Sequence, residues 1–475
     1  MHSSAVNIAG HTSTAPERTF DVAVVGAGVV GCAIARSFAI RGWRTVVVEK
    51  EADILEGASK GNSALLHTGF DEPPHSHELA MIKAGYSIYR RIHGRMNLPL
   101  VETRALVVAW DREDLGKLDG IAAHSRANGV EASRMDQTGL RRREPNLSDG
   151  ALGAVEIPGE AVIDPWSAPL GYIRQALLHG AELLLGAAVT GLSRGASLWR
   201  IETSKGSLAA RLVVNAAGLF GDRVEALAGR RPRFTVRPRK GQFVVYDKPA
   251  HDLVNAIILR VPTERTKGIL LTRTVFGNLL LGPTADDQDD RIHAPCEEAV
   301  LRRIIAEGEA MLPALTGQAI TATFAGLRPA TEHRDYVLVT DAARGWITIG
   351  GIRSTGLSAS LGLGEWAAEQ GGMLLGEARR APADDDLDWP QMPAISQAAP
   401  RPYQQPSRSP IVCHCEWVTE QEIREALDGP VPAGTAGGLK RRTRTGMGRC
   451  QGFGCSGAIA RLAPDLAAVR LEPAA

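Results

Sequence analysis

Three glycines and a later acid have the spacing of a phosphate-binding turn. Gly26, Gly28 and Gly31 follow the apolar run DVAVV and open a segment with helical character. In such a turn the first glycine permits the tight bend, the second lets the backbone approach a pyrophosphate, and the third lets helix and strand pack closely. The helix N-terminus offers free N–H groups and a positive dipole. A second strand, TVVVE, ends in Glu49, where an acid can accept hydrogen bonds from an adenosine ribose. The pattern predicts a dinucleotide site rather than a glycine-rich turn without a ligand.

Four of the six cysteines lie near the C-terminus, in a Cys-x-Cys pair and a Cys-x4-Cys pair: Cys413, Cys415, Cys450 and Cys455. Six cysteines in 475 residues do not indicate a disulfide scaffold. Four thiolates in so short a segment predict a metal site. Zinc is normally held by pairs with two to four intervening residues. The tighter first pair, and the glycines around the second pair that can offer N–H groups to sulfur, favour an iron–sulfur cluster, with zinc as the alternative.

Three further segments favour FAD over a nicotinamide. They are a polar glycine-bearing turn that leads to a histidine (59–69), a strand, turn and helix (211–224), and a second strand, glycine-rich crossing and helix (346–369). The last helix, expected from about Leu357, would point its N-terminus into the fold. Its dipole can stabilise the negative charge of a reduced flavin ring. Outside the cysteine-rich segment, where residues 452–457 repeat the spacing, no second Gly-x-Gly-x-x-Gly occurs, so a separate NAD(P)H site is not expected.

The length and net charge of the chain limit how many domains can position these residues and which classes of partner the protein can bind. A chain of 475 residues allows two to four domains. The net charge of +1 argues against nucleic acid or an anionic membrane surface as the main partner. Residues 1–19 read as a flexible polar leader without a secretory pattern. The apolar run 22–40 contains glycines and Arg36, so no integral membrane segment is expected. We expect a cytoplasmic protein, or one that reaches a membrane only through a partner.

Residues 20–375 resemble the FAD-dependent oxidoreductases of the D-amino acid oxidase superfamily. Within it they are most similar to the L-2-hydroxyglutarate oxidase/glycerol-3-phosphate dehydrogenase branch. The resemblance rests on GNSALLHTGF, VVNAAGLFGDRV, RPRKGQFVVYD, FAGLRPATEHRDY and GGIRSTGLSAS. It implies an α/β plus α+β fold, with a discontinuous Rossmann-like FAD domain (about 20–90, 165–230 and 320–377) and a β-rich substrate domain (about 91–164 and 231–319).

After a Pro-rich linker at 378–410, residues 411–475 resemble a second family. CHCEWVTEQEI and TRTGMGRCQGFGC are similar to the [2Fe-2S] domain of the bacterioferritin-associated ferredoxin type. The same domain ends one chain of anaerobic glycerol-3-phosphate dehydrogenase and of several amine dehydrogenases built from multiple chains. The Cys-x4-Cys spacing matches this fused version better than the free ferredoxin, which has Cys-x2-Cys.

The resemblance implies roles for three residues. His67 would accept a proton from substrate, or would only hydrogen-bond the flavin or backbone. Arg328 would clamp a substrate anion, or would form a structural salt bridge. Arg353 is a second anion candidate beside the flavin. The predicted cofactor-binding residues are Gly26, Ala27, Gly28, Val29, Val30, Gly31, Glu49, Lys50, Gly61, Asn62, Ser63, Leu65, Val189, Ala217, Gly218, Gly351, Gly356, Leu357 and Ser358.

The two cofactors together favour a dehydrogenase over an oxidase. A flavin takes two electrons and a [2Fe-2S] cluster passes one at a time, so electrons should leave to an acceptor protein or a companion flavoprotein subunit. The expected substrate is a small anion, either a 2-hydroxyacid or a molecule like glycerol 3-phosphate. Two alternatives stay open: an amine or imino-acid dehydrogenase subunit on the same scaffold, and a non-catalytic electron-transfer subunit.

Overall fold

A computed structural model describes residues 18–263, 268–406 and 409–468. The strands are β1 (Arg18–Val25), β2 (Thr45–Val48), β3 (Leu65–Leu66), β4 (Leu100–Glu102), β5 (Ala105–Ala109), β6 (Ser133–Asp136), β7 (Gly153–Ile157), β8 (Ala161–Ile163), β9 (Glu182–Leu184), β10 (Val189–Arg194), β11 (Trp199–Thr203), β12 (Gly206–Asn215), β13 (Arg239–Tyr246), β14 (Ile257–Arg260), β15 (Leu270–Arg273), β16 (Leu279–Gly282), β17 (Asp286–Asp287), β18 (Ile320–Arg328), β19 (Val337–Asp341), β20 (Trp346–Gly350), β21 (Ile411–Cys413) and β22 (Val418–Thr419). The helices are α1 (Val29–Ala39), α2 (His77–Ile92), α3 (Arg112–Ala127), α4 (Gln137–Arg143), α5 (Ser167–Leu178), α6 (Gly221–Leu227), α7 (Glu298–Met311), α8 (Gly356–Leu375), α9 (Glu420–Asp428), α10 (Ala436–Thr443), α11 (Ser456–Leu462) and α12 (Pro464–Ala468).

The first sheet holds the predicted phosphate-binding turn at its centre. Its order is β10-β11-β12-β1-β2-β9, and β20 pairs with β12 and with β19. The central strands β1, β2 and β12 are parallel and buried, as their near-continuous apolar runs predict. Helix α1 packs against α5 and α8. This is the layered arrangement of a dinucleotide-binding fold.

The second sheet is mostly antiparallel and forms the other half of the large domain. Its order is β17-β13-β16-β15-β14-β5-β7-β6, with β18 also paired to β13. Strand β18 begins at the domain boundary predicted near residue 320 and pairs with this second sheet. A third, small antiparallel sheet has the order β3-β8-β4. The division into domains by residue number stays a prediction.

The predicted linker and the C-terminal segment both pack against the rest of the chain. Met392 and Ile395 of the linker are buried in apolar clusters with residues of the large domain. In the C-terminal segment, Thr419 and Glu422 form the predicted capping box at the start of α9. Within the described residues, no helix combines the length and the apolar character needed to cross a bilayer.

Candidate functional site

The glycine turn has the close packing that its spacing predicts. Gly26 has φ +105°, and a Cβ there would lie 2.7 Å from the carbonyl oxygen of Ala216. A Cβ on Gly31 would lie 1.9 Å from the carbonyl oxygen of Gly26. Helix α1 begins at Val29, whose N–H donates to the Ser59 hydroxyl at 3.0 Å. The turn therefore holds a helix N-terminus where a pyrophosphate would bind.

Glu49 is held by backbone donors at the end of β2. Its carboxylate accepts from the Ala27 N–H at 2.7 Å and from the Glu51 N–H at 3.0 Å. Burial raises the pKa of Glu49, which these two hydrogen bonds partly offset. The side chain is thus fixed beside the glycine turn, in the position where an acid can accept from ribose hydroxyls.

A cavity of about 380 Å³ runs from this turn to the second sheet. Thirteen of the predicted cofactor-binding residues line it: Gly26, Gly28, Val29, Val30, Glu49, Lys50, Gly61, Asn62, Ser63, Ala217, Gly218, Gly356 and Leu357. The six that do not are Ala27, Gly31, Leu65, Val189, Gly351 and Ser358. Of these, Gly31 packs beneath the turn and Ala27 donates its N–H to Glu49, so both shape the site from behind its wall.

Sequence reasoning missed several residues of the cavity wall. Phe220, whose ring centre lies 4.6 Å from the Lys50 ammonium, belongs to the predicted strand, turn and helix at 211–224 and could have been included. Phe243 and Arg291 come from the second sheet and the loop after it, and no local signal marks them. The guanidinium of Arg291 contacts both carboxylate oxygens of Asp222, at 2.5 and 2.8 Å. Its charge is therefore already balanced within the fold.

Arg328 lines the cavity without a carboxylate partner among the described residues. Its two terminal nitrogens donate only to the carbonyl oxygen of Thr284, each at 3.2 Å. Burial and then the neighbouring Arg239 cation lower the pKa of Arg328 to about 10. Gly241 makes room for the guanidinium, because a Cβ there would lie 2.6 Å from one of its nitrogens. A desolvated cation on a cavity wall is suited to bind an anion.

Arg353 also lines the cavity, but its charge is already paired. Its guanidinium contacts the buried carboxylate of Glu78 at 2.7 Å and donates to the carbonyl oxygen of Arg334. The other oxygen of Glu78 accepts from the Thr355 hydroxyl at the start of α8. Arg353 thus ties the start of α8 to α2. Its predicted catalytic role stays a prediction.

His67 lies next to the cavity rather than in its wall. Its backbone N–H donates to the Ser358 hydroxyl at 2.8 Å, which fixes it against the first turn of α8. Its Nδ1 lies 3.0 Å from a carboxylate oxygen of Glu160. Glu160 is fully buried, whereas the His67 side chain is 22% exposed. The structure therefore adds a carboxylate partner that the sequence pattern did not reveal.

The four cysteines converge, and their thiols interact as two pairs, Cys413 with Cys455 and Cys415 with Cys450. Each iron of a [2Fe-2S] cluster takes two thiolates, so two pairs suit it. The N–H of Gly454 and then the Cys415 thiol lower the pKa of Cys450, and the N–H groups of Gly452 and Phe453 add to this. The glycine-rich loop thus offers N–H donors to sulfur, as predicted.

Two positions around the cysteines, 448 and 452, require glycine for reasons of space and backbone conformation. A Cβ on Gly448 would lie 2.2 Å from the Cβ of Cys415, so any larger residue would displace Cys415. Gly452 has φ +88°, a conformation that favours glycine. Glycine at both positions therefore lets the loop pack closely around the cysteines.

The cluster segment docks on the large domain at two places. Near the glycine turn, Arg442 pairs with Asp53 at 2.6 and 2.8 Å, both side chains being buried. At the other, Gln451 of the cluster loop donates to the carbonyl oxygen of Thr321 at the start of β18. The same strand reaches the cavity at Ala325. Four residues of strand span about 13 Å, so the cluster loop lies a short distance along β18 from the cavity wall.

Comparison with known proteins identifies both parts of the chain. The model of the FAD dependent oxidoreductase family matches residues 21–370, and that of the BFD-like [2Fe-2S] binding domain matches residues 411–463. A glycerol 3-phosphate dehydrogenase of Caloramator mitchellensis is 30% identical over 446 residues, covering 92% of each chain. One chain of the anaerobic glycerol-3-phosphate dehydrogenase of Escherichia coli is 29% identical, covering 93% of this chain and 88% of that one.

A solved structure supports the fold. The dithionite-reduced L-α-glycerophosphate oxidase of Mycoplasma pneumoniae with FAD bound superposes with a TM-score of 0.70 at 24% identity. The match covers 77% of this chain and 97% of that one. The predicted fold class and the two predicted cofactors, FAD and a [2Fe-2S] cluster, are confirmed.

Proposed function

Because the chain belongs to the FAD dependent oxidoreductase family and carries a BFD-like [2Fe-2S] binding domain, we propose that it is a glycerol-3-phosphate dehydrogenase. It is an FAD-dependent dehydrogenase that passes electrons through the cluster. The substrate is the proposal. Both of the relatives described above that match over nine-tenths of this chain act, by name, on glycerol 3-phosphate.

The proposal rests on the position and hydrogen bonding of Arg328. Its guanidinium faces the cavity with only the Thr284 carbonyl as partner. A guanidinium fork matches the oxygens of phosphate as well as those of carboxylate. The geometry therefore supports a small anionic substrate, and the relatives favour the phosphate.

Besides Arg328, the proposed reaction uses His67 to accept a proton and helix α8 to stabilise negative charge. We assign to His67 the proton of the substrate hydroxyl, which its imidazole can accept in the neutral form. FAD, when bound, supplies the acceptor for the hydride that leaves the same carbon. Helix α8 begins at Gly356 beside the cavity and has no side-chain cap, so its N-terminal dipole favours negative charge on a bound ring. Oxidation would thus give a ketone, with the hydroxyl proton taken by His67 and the hydride, which carries both electrons, taken by the bound FAD.

Anaerobic bleaching of the flavin absorbance tests the substrate. The holoenzyme would be mixed with glycerol 3-phosphate, L-2-hydroxyglutarate, other 2-hydroxyacids and amino acids in turn. We expect glycerol 3-phosphate to bleach the flavin fastest, and glycerol without phosphate to serve as the control that does not. Faster bleaching by an amino acid would favour the amine dehydrogenase instead. Bound FAD and cluster with no bleaching by any substrate would indicate a non-catalytic electron-transfer subunit.

The face around the cluster supports the proposed electron acceptor, a companion flavoprotein subunit. Phe453, between the second pair of cysteines, is 92% exposed, and Trp417, close after the first pair, is 45% exposed. Aromatic side chains left in solvent are typical of protein contacts. Reduced thiolate ligands also fit a cytoplasmic location.

Two measurements test the acceptor. With substrate present, the purified chain should reduce oxygen slowly and should reduce a one-electron acceptor dye rapidly. Pull-down from native lysate should recover a flavoprotein. Phe453→Ser should lose it, whereas Met373→Ser, which changes an exposed apolar side chain of α8, should keep it. Rapid reduction of oxygen by the chain alone would contradict the proposal.

A further inference from the structure

Glu160 is placed opposite His67 by the register of the small sheet. Strands β3 and β8 are antiparallel, with Leu65 opposite Val162 and Leu66 opposite Ala161. Extending this register by one residue brings His67 opposite Glu160, and the side chains meet with Nδ1 3.0 Å from Oε2. The contact is thus built into strand pairing and does not depend on a flexible loop.

The other oxygen of Glu160 is also fixed. It accepts from the backbone N–H of Thr68 at 2.6 Å and from the Thr68 hydroxyl at 2.7 Å. A backbone N–H is always a donor, so Oε1 must stay an acceptor. The carboxylate therefore has one oxygen committed to Thr68 and the other committed to His67.

The elements packed against this pair hold the turn that carries Glu160. On α2, Tyr86 donates to the carbonyl oxygen of Gly159 at 2.8 Å, and Arg90 lies over the Tyr86 ring. Glu102 of β4 faces outward, 60% exposed, and pairs with Arg90. The nearest turn of α2 and the neighbouring strand thus fix the backbone on both sides of the buried carboxylate.

We propose that Glu160 is a positioning residue for the reaction, which holds His67 in the tautomer protonated at Nδ1 and leaves Nε2 unprotonated to accept the substrate's hydroxyl proton. When Nε2 takes that proton, the buried carboxylate stabilises the imidazolium. This inference rests on the proposed role of His67 as the base. It applies to any alcohol that the site oxidises.

The substitution Glu160→Gln tests the tautomer directly. The Thr68 N–H requires the amide oxygen, so the amide NH2 must face Nδ1 and make it an acceptor. The proton then moves to Nε2, where it blocks catalysis. We expect flavin bleaching at saturating substrate to slow by about 10²- to 10⁴-fold with little change in the substrate concentration for half-maximal rate. Glu102→Gln, the same change on the exposed neighbour, should have no effect.

Nitrogen NMR of the histidine-labelled holoenzyme gives a readout that does not require turnover. His67→Asn identifies the His67 resonances by their loss. We expect the protonated nitrogen to be Nδ1 in the wild type and Nε2 in Glu160→Gln. The same tautomer in both proteins, or bleaching within two-fold of wild type, would overturn the role of Glu160.

The two proposals can fail separately. If His67→Asn bleaches at the wild-type rate, His67 is not the base and the role of Glu160 falls with it. If no substrate bleaches the wild type, the proposed function fails, while the tautomer measurement still decides whether Glu160 sets the state of His67.

Discussion

At the scale of single residues, the site is defined by which charges the fold leaves uncompensated. Arg291 and Arg353 line the cavity with carboxylates already bound to them. Arg328 also lines the cavity, but its guanidinium donates only to one carbonyl oxygen, that of Thr284. A buried charge without a partner is costly, and a ligand of opposite charge recovers that cost on binding. Of the three arginines in the cavity wall, Arg328 is therefore the one best placed to bind an anion.

Replacing Arg328 by alanine should weaken substrate binding far more than it slows chemistry. Two charge-assisted hydrogen bonds lost at about 1.5–2 kcal/mol each correspond to roughly 10²- to 10³-fold. The measurement is the dependence of anaerobic flavin bleaching on glycerol 3-phosphate concentration. Arg302→Ala, which removes an exposed arginine of α7, is the matched control. An unchanged half-saturating concentration would exclude Arg328 as the anion site.

Replacing Gly241 by alanine should move the guanidinium without removing it. The new Cβ would lie 2.6 Å from a nitrogen of Arg328 and 2.9 Å from the Cβ of Pro283, so the arginine must shift. We expect a loss of substrate affinity of about ten-fold, corresponding to about 1.4 kcal/mol, with the FAD spectrum unchanged. In α3, Gly120→Ala adds a Cβ with no atom within 4 Å and should leave affinity unchanged. Equal affinities for the two variants would contradict this account.

At the scale of elements, strand register and helix ends bring distant residues together. The antiparallel pairing of β13 with β18 sets Arg239 opposite Arg328, and that of β3 with β8 leads to the contact of His67 with Glu160. Glu144 caps the C-terminal end of helix α4 and accepts from the Asn255 N–H with both carboxylate oxygens, at 3.0 and 2.8 Å. Such contacts position loops as well as catalytic groups.

Glu144 should make stability depend on pH. Burial raises its pKa from 4.5 to about 7. Between these values the folded chain holds a proton that the unfolded chain has lost, so stability falls as pH rises from 4.5 to 7 and levels off above it. Urea unfolding should show a decline of about 1 kcal/mol per pH unit that is absent in Glu144→Gln. The exposed Glu131→Gln is the control. Parallel pH curves for wild type and Glu144→Gln would refute the prediction.

At the scale of the whole molecule, the cluster domain is held against the flavin-binding half by buried charge. Arg442 and Asp53 are 5% and 0% exposed, and the Gly434 N–H also donates to Asp53 at 3.1 Å. Beside them, Arg441 contacts Glu56, a residue of the cavity wall, at 2.5 Å. The docking that brings the cluster near the cavity therefore also supports one edge of the FAD site.

Removing one partner of this ion pair should weaken the docking of the cluster domain on the large domain. Arg442→Met leaves the Asp53 carboxylate buried without its cation, which costs about 3–5 kcal/mol. We expect flavin bleaching to persist and the later reduction of the cluster, followed by electron paramagnetic resonance, to slow. The control is Arg424→Met, which breaks an exposed pair on α9 of the same domain. Adding Asp53→Leu to Arg442→Met should restore part of the stability. Identical unfolding midpoints for the Arg442 and Arg424 variants would contradict a role for the buried pair.

The local features of the sequence determined the cofactors of this protein. Gly26, Gly28 and Gly31 predicted one backbone turn, Glu49 ended the next strand, and the two cysteine pairs favoured an iron–sulfur cluster, because within each of these motifs the residues lie close together in the sequence. Those predictions need only the geometry of a short peptide, which the spacing of residue types already constrains.

Only the tertiary structure decided which charged groups are partnered. Arg328 and Arg353 read alike in sequence, yet one meets a carbonyl and the other a carboxylate. Glu160 lies far along the chain from His67, and Asp53 from Arg442. Such pairs depend on strand register and domain packing, which sum many weak contacts over the whole chain and leave no mark in the spacing of neighbouring residues.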